Sequence, residues 1–65
     1  MAYSVIMKRL TKALAKRGET ITRKNGHMLV TRMRDKRIIC DMDCTGMDKA
    51  MLRSNMELLL LAVTQ

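Results

Sequence analysis

The chain lacks phenylalanine, tryptophan and proline, and its only aromatic ring apart from one histidine is Tyr3. Common single-strand binders stack unpaired bases on aromatic side chains. A sheet built from this sequence cannot provide such a stacking surface. No proline-rich, repetitive or low-complexity stretch marks a linker either. We therefore expect one small basic domain over residues 1–65, with the limited core that this length allows.

Residues that carry catalysis or bind metal ions are also scarce. There is one histidine, His27, and there are two cysteines, Cys40 and Cys44, and six acids. Two cysteines without a secretion signal do not form a disulfide framework, which favours a reducing cytoplasmic location. The longest apolar run, residues 58–63, is far shorter than the roughly 20 residues that span a bilayer. We expect no membrane partner, no metal and no cofactor.

Charge is distributed unevenly along the chain. Residues 1–37 hold eleven of the thirteen Lys and Arg residues against two acids, a net charge of +9, whereas residues 38–65 carry −2. This division predicts an amino-terminal region that meets something anionic and a carboxyl-terminal region that is buried. Eight methionines replace bulkier apolar residues. Methionine fills gaps but specifies shape poorly, so a homodimer would help by enlarging the core.

Residues 4–17 predict an amphipathic helix with Ser4 as its N-cap and Gly18 just beyond its carboxyl end. One apolar stripe has the spacing i, i+4, i+7, i+8 and consists of Ile6, Leu10, Ala13 and Leu14. Lysines at i, i+4 and i+8 align on another face: Lys8, Lys12 and Lys16. Like charges at this spacing repel one another unless an anion offsets them.

The Asn25-Gly26 dipeptide predicts a two-residue hairpin turn, because both residues tolerate the positive φ of a type I′ turn. That turn would pair Lys24 with His27 and Ile21 with Val30. Ile21, Met28 and Val30 would then share one face of the ribbon, and Thr22, Lys24, His27 and Thr31 the other. A weaker turn signal near residues 34–36 predicts a third strand over residues 37–42.

Residues 45–48 have the form of a capping box, with Thr45 as the N-cap and Asp48 reaching back to it. The helix that follows should end at Ala62 or Val63. Because its last turns are apolar on nearly every side, we expect a dimer interface there. The predicted interface residues are Leu58, Leu59, Leu60, Leu61 and Val63. The expected fold is α+β, in the order α-β-β-β-α, with both helices packed on one face of a three-stranded antiparallel sheet.

Three side-chain sets are candidates for chemistry. His27 could act as a general base in RNA cleavage, with nearby cations stabilising the phosphate. Asp41 and Asp43 could hold Mg²⁺, and Cys40 and Cys44 could join His27 and Asp43 around zinc. In each case we favour a structural role: an exposed strand histidine, a solvated strand end, a small core Cys40 and a loop Cys44.

The basic residues carry the main functional prediction, a non-enzymatic module that binds duplex DNA or RNA through phosphates. The predicted contacts are Lys8, Arg9, Lys12, Lys16, Arg17, Arg23, Lys24, Arg32, Arg34, Lys36 and Arg37. An acidic protein surface is the alternative partner. Small, basic, methionine-rich chains resemble accessory proteins of phages and other mobile elements, and that resemblance implies an inhibitor of an acidic host protein.

The element order also resembles that of the HicA-type toxins, which are small proteins that cleave messenger RNA. The likeness covers residues 8 to about 60 and rests on the basic turn at residues 23–27 and the final helix around residues 51–54. The resemblance implies a double-stranded-RNA-binding-like fold, with His27 as the catalytic residue. The family's turn is typically Gly-Ser-His, and the serine is missing between Gly26 and His27.

Overall fold

A computed structural model describes all of residues 1–65. The elements are α1 (Tyr3–Lys16), β1 (Glu19–Lys24), β2 (His27–Arg32), β3 (Arg37–Asp43) and α2 (Lys49–Thr64). The strands form one antiparallel sheet in the order β1-β2-β3, and both helices lie on one of its faces. The predicted α+β class and α-β-β-β-α order are therefore confirmed. Neither helix is long and apolar enough to cross a membrane.

The β1–β2 hairpin has the predicted register. Asn25 and Gly26 both have positive φ, 50° and 76°, and the pairing runs from Lys24–His27 outward. Because side chains alternate along a strand, Met28 and Val30 point to the helices and are buried, while Lys24 and His27 lie on the uncovered face. The turn thus decides which face of the sheet carries the polar side chains.

The β2–β3 pairing contains a β-bulge. Thr31 pairs with Ile38 but Val30 pairs with Cys40, so that Ile39 is an extra residue in β3. From that point to the end of β3, the strand is shifted by one residue relative to a regular ladder. Ile38 and Ile39 remain 57% and 44% exposed on this outer strand. The strand ends at Asp43, one residue later than predicted.

The core lies between the helices and the covered face of the sheet. Its buried apolar side chains are Ile6, Leu10 and Leu14 of α1, Leu52 and Met56 of α2, Met28 and Val30 of β2, and Cys44. The amino-terminal turns of the two helices line one shared depression, and their carboxyl-terminal halves line another. The helices therefore run in the same direction, and an outer groove lies between their carboxyl-terminal halves.

The amino-terminal cap of α1 differs from the prediction. Its N-cap is Ala2, whose carbonyl accepts hydrogen bonds from the amides of Val5 and Ile6, and Ser4 already lies within the first turn. No side chain caps this end, so the Ser4 prediction is wrong. At the other end, Gly18 has a φ of 72° immediately after the C-cap, as predicted.

The cap of α2 also differs from the prediction. Asp48 is the N-cap, and its Oδ1 accepts a hydrogen bond of 2.9 Å from the amide of Met51. Thr45 instead donates its hydroxyl and its amide to Asp43. Gly46 has a φ of 79°, which a right-handed helix cannot contain, so the helix cannot begin at Thr45. The predicted capping box is wrong by one turn.

Candidate functional site

The antiparallel strands place the predicted basic residues at two opposite ends of the sheet. At one end, the carbonyl of Gly18 accepts a 2.9 Å hydrogen bond from the amide of Met33, which joins the end of α1 to the β2–β3 turn. We call this end the basic end, defined by Lys16, Arg17, Arg32, Arg34, Lys36 and Arg37. The β1–β2 turn lies at the other end, called the histidine end, defined by Lys24, His27, Asp41 and Asp43.

Two cations of the basic end are held in ion pairs. Arg32 forms a two-pronged hydrogen bond to Asp35, with Nε–Oδ1 and Nη2–Oδ2 distances of 3.1 and 2.8 Å. This guanidinium lowers the pKa of Asp35 below its usual value. Arg17 lies 3.4 Å from the carboxylate of Glu19, a nearly buried residue that the sequence did not single out. These pairs brace the end of the sheet.

The other four cations of the basic end have no acidic partner. Their side chains are exposed, and none forms an ion pair: Lys16, Arg34, Lys36 and Arg37. Three of them follow one another within or just after the β2–β3 turn. The fourth belongs to the last turn of α1, which the Gly18–Met33 hydrogen bond holds beside that turn. The result is a compact cluster of uncompensated positive charge.

On α1 the structure separates the predicted lysine row. Arg9 and Lys16 line the outer groove between α1 and α2, Lys8 lines a depression on the other flank of α1, and Lys12 lies between them and lines both. Arg23 is exposed near the β1–β2 turn, at the end away from Arg34. The predicted phosphate contacts therefore do not form one surface. They divide among the groove, the basic end and the histidine end.

Five of the six acids already have a partner within the chain. Glu19 pairs with Arg17, Asp35 with Arg32, Asp41 with His27, Asp43 with Thr45, and Asp48 with the α2 amino terminus. The sixth, Glu57, lines the groove between the helices. It lies near Lys16 but is not ion-paired, and no acid pairs with Arg34, Lys36 or Arg37. These cations are free to contact an anionic ligand.

At the histidine end, the imidazole of His27 is hydrogen bonded to a carboxylate. Nδ1 of His27 donates to Oδ1 of Asp41 over 2.7 Å, and Asp43 is the register partner of His27. The hydrogen bond to Asp41 raises the pKa of His27 above its ordinary value, and the negative charges of Asp41 and Asp43 add to the rise. With Nδ1 engaged, Nε2 is the nitrogen that a substrate would meet.

The β-bulge is what brings Asp41 to His27. In a regular ladder continuing from the Thr31–Ile38 pair, Asp41 would oppose Met28 and face the core. The extra residue, Ile39, shifts Asp41 opposite Leu29 and Asp43 opposite His27, on the uncovered face. The sequence analysis missed this partnership. Predicting that Asp41 faces His27 would have required predicting the bulge in β3. The two adjacent isoleucines of that strand do not indicate a bulge.

Neither metal hypothesis gains support from this geometry. Asp43 accepts from the hydroxyl and amide of Thr45, which lowers the pKa of Asp43 below its usual value, and Asp41 is held by His27. No three side chains from His, Cys, Asp and Glu lie close enough together to hold an ion. Both cysteines are free thiols, and it is Cys44, not Cys40, that is buried in the core. Cys44 does lie in the loop after β3, as predicted, but its side chain is part of the core, and Cys40 is half-buried against that core.

The residues of the predicted dimer interface fall into two groups. Leu59, Leu60 and Val63 are half-buried and pack against the core of their own chain. Leu58 and Leu61 are 64% and 58% exposed. Only the second group is mostly exposed, and of the first group Leu60 also lines the groove between the helices, so the surface that α2 can offer a partner is narrower than the sequence predicted.

Comparison with known proteins adds no relative. No protein-family model, curated protein or solved structure matches this chain. The likeness to HicA-type toxins therefore stays a prediction. Function has to be inferred from the three surfaces described above.

Proposed function

We propose that this protein binds duplex nucleic acid through phosphate contacts made by its basic end. The observation that supports this function is the set of four exposed cations without an acidic partner, in a chain where five of the six acids already have a partner. Lys and Arg side chains in such clusters neutralise phosphates and release condensed counterions. The Arg32–Asp35 pair holds the β2–β3 turn that carries three of these cations, so less conformational freedom is lost when the turn binds.

The uncovered face of the sheet supports a duplex over an unpaired strand as the ligand. Its middle consists of threonines and aliphatic side chains: Thr20, Thr22, Leu29, Thr31 and Ile38. None of these can stack on a base, and Tyr3 packs against the core instead. The side chains of this protein can therefore bind phosphates but cannot stack on the faces of bases. The two free thiols fit our placement of the protein in a reducing cytoplasm.

Binding to labelled duplex DNA and duplex RNA, measured by fluorescence anisotropy across a salt series, tests this function. For the wild type we expect affinity to fall steeply between about 50 and 200 mM salt. Replacing Arg34, Lys36 and Arg37 with glutamine should reduce the steepness of the plot of log affinity against log salt concentration by up to about 3. Each lost phosphate contact lowers the magnitude of that slope by roughly 0.9.

A matched variant removes the same charge elsewhere. Arg23, Lys24 and Lys49, all exposed and away from the basic end, are replaced with glutamine. This triple variant should bind nearly as well as the wild type. Equal losses in the two triple variants would mean that only net charge attracts the ligand. Absence of binding to either duplex at about 50 mM salt would refute the proposal.

A ribonuclease is the second candidate, and the His27–Asp41 hydrogen bond is the observation that favours it. A carboxylate on Nδ1 orients the ring and leaves Nε2 to accept a proton from a ribose 2′-hydroxyl, with Lys24 beside it. The carboxylates of Asp41 and Asp43 would repel the phosphate, which is why binding at the basic end ranks first. Purified wild type should cleave RNA and His27→Ala should not; an inactive wild type eliminates this candidate.

A further inference from the structure

The outer groove between the helices has two chemically different walls. We call it the helix groove; its volume is about 550 Å³. The α1 wall carries Arg9, Lys12 and Lys16. The α2 wall carries Leu60 and Leu61, with Glu57 and Thr64 beside them, so three cations face a single acid across the groove. A ligand that fills this groove has to offer negative charge to one wall and apolar surface to the other.

The cationic wall has the spacing of a helix. Arg9, Lys12 and Lys16 stand at i, i+3 and i+7 along α1, so they form one row about 10 Å long. All three are exposed, and none forms an ion pair. A second helix lying in the groove can present acids at i, i+4 and i+7 to such a row, one acid for each cation.

The apolar wall excludes a purely phosphate ligand. Leu61 is 58% exposed at the rim of the groove, and Leu60 lies deeper, half-buried against the core. A sugar–phosphate backbone gains nothing from two leucines, whereas the apolar stripe of an amphipathic helix buries them. We infer that the helix groove binds an acidic amphipathic helix of a partner protein. The groove shares only Lys16 with the basic end, and Arg34, Lys36 and Arg37 lie outside it, so the inference does not rest on the proposed nucleic-acid binding.

A second copy of this chain cannot supply that helix. There is no acid anywhere in α1, and the only acid of α2, Glu57, already lines the groove. The remaining acids are held by partners in strands, turns or a cap. Two copies meeting at their grooves would bring two rows of three cations together, with only one Glu57 in each copy to offset them. The acidic helix has to come from a different protein.

Titration of the ¹⁵N-labelled protein with two synthetic peptides tests the inference. The first is an amphipathic helix of about 18 residues, long enough to be stable when bound, with leucines on one face and glutamates flanking them. The second has the same composition in scrambled order. We expect the amphipathic peptide to shift the amides of residues 9–16 and 57–64 and to bind at least about ten-fold more tightly than the scrambled one. Equal binding of both peptides, or shifts located elsewhere, would overturn the inference.

Paired variants make the test specific to the groove. Leu61→Asp should weaken peptide binding at least about ten-fold, whereas Leu58→Asp, an equally exposed leucine of α2 outside the groove, should not. Both substitutions are at exposed positions, so the fold should survive. If Leu58→Asp weakens binding as much as Leu61→Asp, the groove is not the site.

The two proposals fail independently. The glutamine variant of Arg34, Lys36 and Arg37 should retain peptide binding, and Leu61→Asp should retain the wild-type salt dependence for duplexes. Loss of peptide binding in the glutamine variant would show that the peptide was attracted by the basic end. That result would overturn the groove inference without affecting the nucleic-acid proposal.

Discussion

Replacing Gly26 with alanine should destabilise this protein more than the same change at the other two glycines. Gly26 has a φ of 76°, and a Cβ built there would lie 2.7 Å from Cγ2 of Thr45. Gly18 and Gly46 also have positive φ, but a Cβ at either would meet nothing within 4 Å. The three positions therefore share a conformational cost, and only one adds a steric overlap.

The magnitudes separate the two effects. An alanine in the left-handed region costs about 1–2 kcal/mol. Overpacking against a fixed neighbour adds about 1–3 kcal/mol. Gly26→Ala should thus cost roughly 2–5 kcal/mol and Gly46→Ala roughly 1–2 kcal/mol, in a domain whose total stability is about 3–10 kcal/mol. Thr45→Ser removes Cγ2 but keeps the hydroxyl that bonds to Asp43, so it should rescue Gly26→Ala to the level of Gly46→Ala.

Urea denaturation followed by circular dichroism gives the free energies of unfolding for the single variants and for the Gly26→Ala/Thr45→Ser double variant. The coupling between the two substitutions should be about 1–3 kcal/mol, in the direction of rescue. Equal costs at Gly26 and Gly46, or a double variant no more stable than Gly26→Ala, would refute the reasoning. Either result would mean that the β1–β2 turn does not pack against the loop after β3.

Two further predictions concern the core and the histidine end. Leu10 is fully buried between the helices and the sheet, so Leu10→Ala should lower the free energy of unfolding by about 3–5 kcal/mol. Most of the cooperative thermal transition measured by circular dichroism should then be lost. A transition near the wild-type temperature would contradict this prediction. Asp41→Asn should lower the pKa of His27 toward its ordinary value in an NMR titration of the ring, with Asp43 and Lys24 still beside it. Folding raises the pKa of His27, so the stabilisation from this pair is present below the unfolded pKa of about 6.5. It is lost as the pH rises through the folded pKa, so the stability advantage of wild type over Asp41→Asn should shrink as the pH rises above about 6.5.

The parts of the fold that depend on local sequence were predictable. Asn25 and Gly26 specify a two-residue turn, and that turn determines the register and the faces of β1 and β2. The apolar stripe of α1 likewise identified Ile6, Leu10 and Leu14 as core. Helix starts were less predictable, because Thr45 and Asp48 are both good caps. The left-handed Gly46 between them decides in favour of the second.

The candidate sites were less predictable, because they depend on how distant segments meet. Asp41 and His27 are 14 positions apart in the sequence. Asp41 reaches His27 only because the bulge at Ile39 moves the side chains that follow it in β3 to the opposite face of the sheet. Charge counting identified the basic residues but could not show that Arg17 and Arg32 are neutralised within the chain. Nor could it show that Lys8 and Lys16 line different depressions.

The separation of the basic end from the histidine end sets a minimum length for any ligand that touches both. β2 connects them with 6 residues, which at about 3.3 Å per residue span roughly 20 Å. A duplex rises about 3.4 Å per base pair, so such a ligand needs at least about six base pairs lying along the strands. A shorter oligonucleotide can contact only one end at a time. If the set of protein residues that contact the oligonucleotide extends to the second end once this length is reached, both ends bind the same molecule.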